Sequence, residues 1–240
     1  MSRSASVSPH STAGRDHGVA AWSLAGGQAH DRAAHAILDL TAPASGLVTP
    51  AGDRLLGFDV GEGWPPIDAW VRGDDISAIW EPGDDRGLRA TGLWRAHPAD
   101  AGLAAWELVA SATTRQLRAD ATLAVSSVVA AAEILSATWH PGASPVFSPR
   151  AIPHPAIVLV RRGDGRSVLV MLHPSEHQTL TVVCEGGRAR VECALFPAGV
   201  EKGVLLRSRV FAAVGPTADD AAWGPRLAAG FAASPPLLST

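Results

Sequence analysis

Residues 180–196 carry the pattern that most restricts this chain. Two alternating runs meet at Gly186-Gly187, a pair suited to the positive φ angles of a two-residue hairpin turn. Folding there sets Glu185 opposite Arg188, Val183 opposite Arg190 and Thr181 opposite Glu192. One face then carries Leu180, Val182, Cys184, Ala189, Val191 and Cys193, while the other carries Thr181, Val183, Glu185, Arg188, Arg190 and Glu192. This is a half-buried antiparallel hairpin with opposite charges placed across it. Cys184 and Cys193 share the apolar face but lie roughly 13 Å apart along the strand. That exceeds the ~7 Å Cα separation a disulfide spans, so both are expected as core packing.

The same punctuation recurs. Residues 156–162 and 166–172 flank Gly163-Asp164-Gly165 and are apolar on both faces, as suits the middle of a covered sheet. A third hairpin pairs 67–72 with 75–80 around Gly73-Asp74, with Ile67, Ala69, Val71, Ile76, Ala78 and Trp80 on its inner face. Further strand-like runs are 54–60, 88–96, 103–113 and 204–213, and the Ala-rich stretch 119–139 also reads as strands. One helix is expected near the C-terminus, with Thr217 as cap and Trp223, Leu227 and Phe231 on one stripe. Gly224-Pro225 is placed to break it into two pieces. Many short strands with regular turns and one terminal helix predict a mainly β chain, an antiparallel β-sandwich.

Residues 1–35 lack a sustained period and are rich in Ser, Ala, Gly and His, so they are expected to form a disordered arm before a sandwich domain at 36–240. The 47% hydrophobic content excludes wholesale disorder. With 20 basic against 23 acidic residues and a net charge of −3, a generally cationic nucleic-acid binder is disfavoured. No apolar run approaches the ~20 residues of a membrane-spanning helix, and Met-Ser-Arg-Ser-Ala-Ser-Val-Ser has no apolar stretch behind its charge. The expectation is a soluble, cytoplasmic protein.

Several islands resemble an uncharacterised family of bacterial hypothetical proteins. They are Asp68-Ala-Trp-Val-Arg-Gly-Asp-Asp75 with Trp80-Glu81-Pro82, Leu93-Trp94-Arg95, His173-Pro174, Glu201-Lys202-Gly203-Val204 with Leu206-Arg207-Ser208-Arg209, and Ser234-Pro235-Pro236-Leu237. The resemblance extends over about 36–240 and implies one domain, with no catalytic residue to carry over. The chain departs from it at Trp80, where tyrosine is expected; it contains no tyrosine.

For chemistry, His173-Pro174-Ser175-Glu176-His177 satisfies H-x-x-E-H, the zinc-binding spacing of inverted zinc proteases. It falls between two strands, where one turn fits and the required helix does not. His140 and His154 flank a proline-rich loop that a sandwich can fold over a cleft near His173. The outer face of the third hairpin gathers Asp68, Trp70, Arg72 and Asp75 with Ser77, and an exposed indole beside carboxylates and a guanidinium suits a sugar. Arg72-Gly73-Asp74 and Arg162-Gly163-Asp164 are turn chemistry. Arg161, Arg162, Arg166, Arg188 and Arg190 crowd near two hairpin tips, but few aromatics interleave with them. Lys202, the only lysine, is a Schiff-base nucleophile only if desolvated.

The leading expectation is a non-catalytic binding or interaction module, without cofactor or metal, recognising a protein partner or a carbohydrate-like ligand through Asp68, Trp70, Arg72 and Asp75. The alternative is a sugar- or acyl-directed enzyme using a cleft lined by His140, His154, His173 and His177, with or without a metal. A structural subunit is a third.

Overall fold

A computed structural model describes residues 21–61, 63–98, 102–140, 142–176 and 178–235. The strands of the first half are β1 (Trp22–Ala25), β2 (Gln28–Asp31), β3 (Ile37–Asp39), β4 (Leu47–Val48), β5 (Arg54–Asp59), β6 (Asp68–Arg72), β7 (Asp75–Trp80), β8 (Leu88–His97) and β9 (Ala104–Thr114). Those of the second are β10 (Arg118–Ala119), β11 (Leu123–Ala130), β12 (Glu133–Ala137), β13 (Ile157–Arg161), β14 (Arg166–Leu172), β15 (Thr181–Glu185), β16 (Arg188–Leu195), β17 (Val200–Glu201) and β18 (Leu206–Pro216). A single helix, α1 (Asp220–Ala233), follows a short 3-10 turn at Thr217–Asp219.

Two antiparallel sheets account for almost all of these strands. The first runs β1-β2-β3-β4-β5-β11-β16-β15 and the second β12-β13-β14-β18-β9-β8-β7-β6, with β10 and β17 as a small separate pair. One apolar cluster joins their facing sides, including Leu38, Phe58, Trp80, Trp94, Val125, Val170 and Val191. A second cluster lies on the other side of the second sheet. There Ile157, Leu159, Met171 and Phe211 meet Trp223, Ala228 and Phe231 of α1. Both faces of β13 and β14 are therefore covered, as their uninterrupted apolar runs require. The fold is the expected mainly β sandwich with a C-terminal helix.

All three expected hairpins form in the expected register. Thr181 faces Glu192, Val183 faces Arg190 and Glu185 faces Arg188; Val158 faces Val170; Trp70 faces Ser77. The stretch 119–139 contains β11 and β12, its β-branched alternation outweighing the helical preference of its alanines.

Four local expectations need correction. Residues 21–35, expected within a disordered arm, include β1 and β2; residues 1–20 lie outside the described residues. These strands are only four residues long, too short to show a period, and are held by distant partners. Trp22 donates its indole N–H to the Asp74 carbonyl (2.9 Å), and Asp31 accepts that of Trp106 (2.7 Å). Cys184 is exposed rather than core, because β15 is the sheet's last strand; Cys193 is buried, and the two thiols remain free. Ile67 is 55% exposed, lying just outside β6 instead of on its inner face. Finally, α1 runs unbroken through Pro225, and Thr217 hydrogen-bonds Ser167 instead of capping it (2.9 Å). The bond that Pro225 cannot make would end on Ala221, which is exposed, so water can take that carbonyl.

The start of α1 is tied down by charge. Asp220 is buried and accepts from Arg161 Nε and Nη2 (2.8 and 2.9 Å) and from Ser167 Oγ (2.8 Å). Burial alone would raise its carboxyl pKa, but these hydrogen bonds outweigh burial and hold it below the usual range.

His173 gives a pH dependence of opposite origin. Its ring is buried and packs edge-on against Phe231, with centroids 5.1 Å apart. Burial, then the Arg209 charge, lowers its pKa from 6.5. The unfolded chain thus takes a proton before the folded one does, and stability from the neutral ring is lost as pH falls from 6.5 through the lower folded value. His173→Asn keeps a polar group for Ser175 and cannot be protonated. Denaturant titrations of both forms should therefore show the wild type losing more stability than the variant on acidification through this window. Parallel pH profiles would remove His173 from this role.

Candidate functional site

The outer face of the second sheet is divided. Its β12–β14 and β18 side lies under α1, while its β6–β8 side keeps exposed polar residues. Register places side chains on that open side in rows. One row reads Arg72, Asp75, Arg95, Glu107, with each residue directly opposite the next across β6, β7, β8 and β9. Alternating signs across neighbouring strands favour this register over slipped ones. The next row reads Trp70, Ser77, Leu93, Val109, Arg209. The third reads Asp68, Ile79, Thr91, Ser111, Arg207.

Asp68, Trp70 and Arg72 are exposed on β6, as the alternation of the hairpin requires. Asp75 belongs to the same face but is engaged: both its oxygens accept from Arg95, at 2.7 Å from Nε and 3.0 Å from Nη2. This bidentate pair fixes the guanidinium rather than leaving the carboxylate free, and the Asp75 hydrogen bond raises the Arg95 pKa further. Arg95 is thus a member of the surface that the hairpin alone does not reveal, since it reaches the face from β8.

The indole nitrogens set Trp70 apart. Those of Trp22, Trp80, Trp94, Trp106, Trp139 and Trp223 donate to protein oxygens at 2.7–3.2 Å. The indole N–H groups of Trp64 and Trp70 make no such bond among the described residues, and these two side chains are 38% and 40% exposed. Trp64 lies against Gly83, where even a Cβ would collide with its ring. Trp70 stands on a strand, with buried Ser77 opposite.

The histidines occupy three different surroundings. His140 is exposed and bonds Thr138 within its own loop (3.2 Å). His154 is exposed at a positive φ of 55°. His173 is buried and its Nδ1 meets Ser175 Oγ at 2.7 Å. Glu176 accepts the backbone N–H of Arg209 (3.2 Å), and His177 lies outside the described residues. Among the described residues no group of three or more His, Cys, Asp or Glu side chains is placed to hold a metal.

Other candidates resolve into structural roles. Arg162 is bonded to Asp53 and, at 2.7 Å, to Asp164 in its own turn. Arg161 is bonded to Asp220 and Glu133, and Arg190 to Glu192. Lys202 is exposed, without the desolvation a Schiff-base lysine needs. No helix among the described residues is long and apolar enough to cross a membrane. The chain matches no protein-family model, and no curated protein matches it significantly.

Proposed function

We propose that this protein is a non-catalytic binding module that recognises a carbohydrate-like ligand on the β6 edge of its second sheet. The observation that carries the reading is Trp70: an exposed side chain on a strand, whose indole N–H has no protein partner among the described residues. A sugar ring offers an apolar face to such an indole and hydroxyls to the polar groups around it. Arg95, fixed by Asp75, supplies a preorganised donor, which lowers the cost of ordering on binding. Asp68 and Arg72 flank Trp70 on the same strand face.

The test is an oligosaccharide array that includes uronic acids, read with the wild type and with Trp70→Ala. Loss of a stacking anchor is expected to weaken binding of the recognised sugar by about tenfold or more. The melting temperature should hardly change, because an exposed side chain contributes little to stability. If Trp70→Ala and the wild type bind the same sugars equally, this face is not the site. Binding of proteins but no sugar would assign the face to a protein partner instead.

A further inference from the structure

We propose that a cavity at one end of the sandwich is a second binding site, specific for a small amphipathic carboxylate. The cavity measures about 640 Å3, within the ~300–1,000 Å3 usual for small-molecule pockets. It opens where the loop after β2, the turn after β4 and the β6–β7 turn meet the ends of β8, β9 and β14. Ala33, Ala34, Ala51, Ala96 and Ala104 form much of its wall, so the space exists because the side chains are short. Trp106 and Leu103 add larger apolar surface.

The polar groups of the wall are mostly in use. Asp31 accepts the Trp106 indole on one oxygen, and the backbone N–H groups of Ala33 and Ala34 on the other (2.9 and 3.2 Å). His97 is engaged with Glu107 at 3.3 Å. Asp74 is exposed at the β6–β7 turn. Arg166 differs from these. It is the one Lys or Arg among the lining residues, and its Nη2 bonds the carbonyl of Gly102, another lining residue, at 3.2 Å. That bond holds the guanidinium against the cavity wall. No carboxylate among the described residues lies within ion-pairing distance of it. A guanidinium beside an apolar chamber, with donors that have no partner among the described residues, is complementary to a ligand carboxylate whose apolar body fills the chamber. This site is separate from the Trp70 face and does not depend on it.

Calorimetric titration of the full chain with octanoate, octan-1-ol and octylamine tests the assignment. Octanoate should bind at least about tenfold more tightly than octan-1-ol, as a charge-assisted hydrogen bond implies. Arg166→Gln should erase that ratio while leaving octan-1-ol binding intact, and Ala34→Phe should weaken both by filling the chamber. The ratio is read on the wild type itself, so the test stands even if a variant fails to fold. Equal affinities for acid and alcohol, a preference for octylamine, or no saturable binding would each overturn the proposal. Carboxylate binding that appears only after removal of residues 1–20 would assign the cavity to the chain's own N-terminal segment, and would overturn it too.

Discussion

Glu107→Ala is expected to destabilise the protein by about 3–5 kcal/mol, because it leaves a buried guanidinium without its counter-charge. Glu107 lies on β9 with its side chain 2% exposed, and Oε1 is 2.5 Å from Arg209 Nε while Oε2 is 3.3 Å from His97. Arg209 then reaches across to the end of α1, donating to Ser234 Oγ (2.8 Å) and the Pro235 carbonyl (3.1 Å), with its guanidinium over the Phe231 ring (5.0 Å). The carboxylate thus anchors the cation that fastens the helix end to the sheet. Glu107→Gln keeps an acceptor but removes the charge, and should cost about 1–3 kcal/mol. For a chain of this size the alanine variant should melt roughly 10 °C or more below the wild type.

The same carboxylate has a defined pH signature. Burial would raise its pKa, but hydrogen bonds from His97 and Arg209 outweigh burial and hold it below 4.5. A depressed carboxylate stabilises the fold above its unfolded pKa and loses that contribution as pH falls through the folded value. The stability gap between wild type and Glu107→Gln should therefore narrow on acidification below 4.5. A gap independent of pH would show that packing, not charge, sets the cost.

Trp94→Ala is the second large loss, expected at about 3–5 kcal/mol. Trp94 is fully buried and meets Phe58 and Trp80 edge-on, at centroid distances of 6.3 and 6.2 Å. Its indole N–H also donates to the Leu56 carbonyl at 3.1 Å. Leu56 has a φ of 53°, unusual for a branched residue, and sits where β5 bulges against β11: Leu55 and Leu56 together face Ser127. Ser127 Oγ accepts the Leu56 N–H at 3.1 Å, so the bulge is held from both sides by side chains. Removing the indole opens a cavity and strips a buried carbonyl of its donor at once. Trp94→Phe keeps most of the volume and should lose less, roughly the 1–3 kcal/mol of the unsatisfied carbonyl. Equal losses for the two variants in denaturant titrations would mean that the hydrogen bond, rather than ring volume, dominates.

The bulge illustrates what the sequence did not disclose. Hairpins were legible because adjacent strands, a period of two and a Gly-rich turn all lie within about twenty residues. Trp70 pointed outward for the same reason. Arg95 joins Asp75 only once β8 pairs with β7, and Glu107 meets Arg209 across 102 positions, so neither pair follows from local pattern. The strands of 21–35 are four residues each and are anchored by Trp22 and Asp31, whose partners Asp74 and Trp106 lie far along the chain. The cavity was invisible for a related reason: its alanines come from five separate segments and converge only in three dimensions.

An indole 15N–1H spectrum under titration with a recognised oligosaccharide tests Trp70 most directly. The chain has eight tryptophans, six of whose indole N–H groups are committed to protein oxygens. Sugar binding on Trp70 implies a saturable shift of the signal that Trp70→Phe removes, with those six almost unmoved. Saturable binding that leaves the Trp70 signal in place, or that moves the committed signals instead, would contradict it.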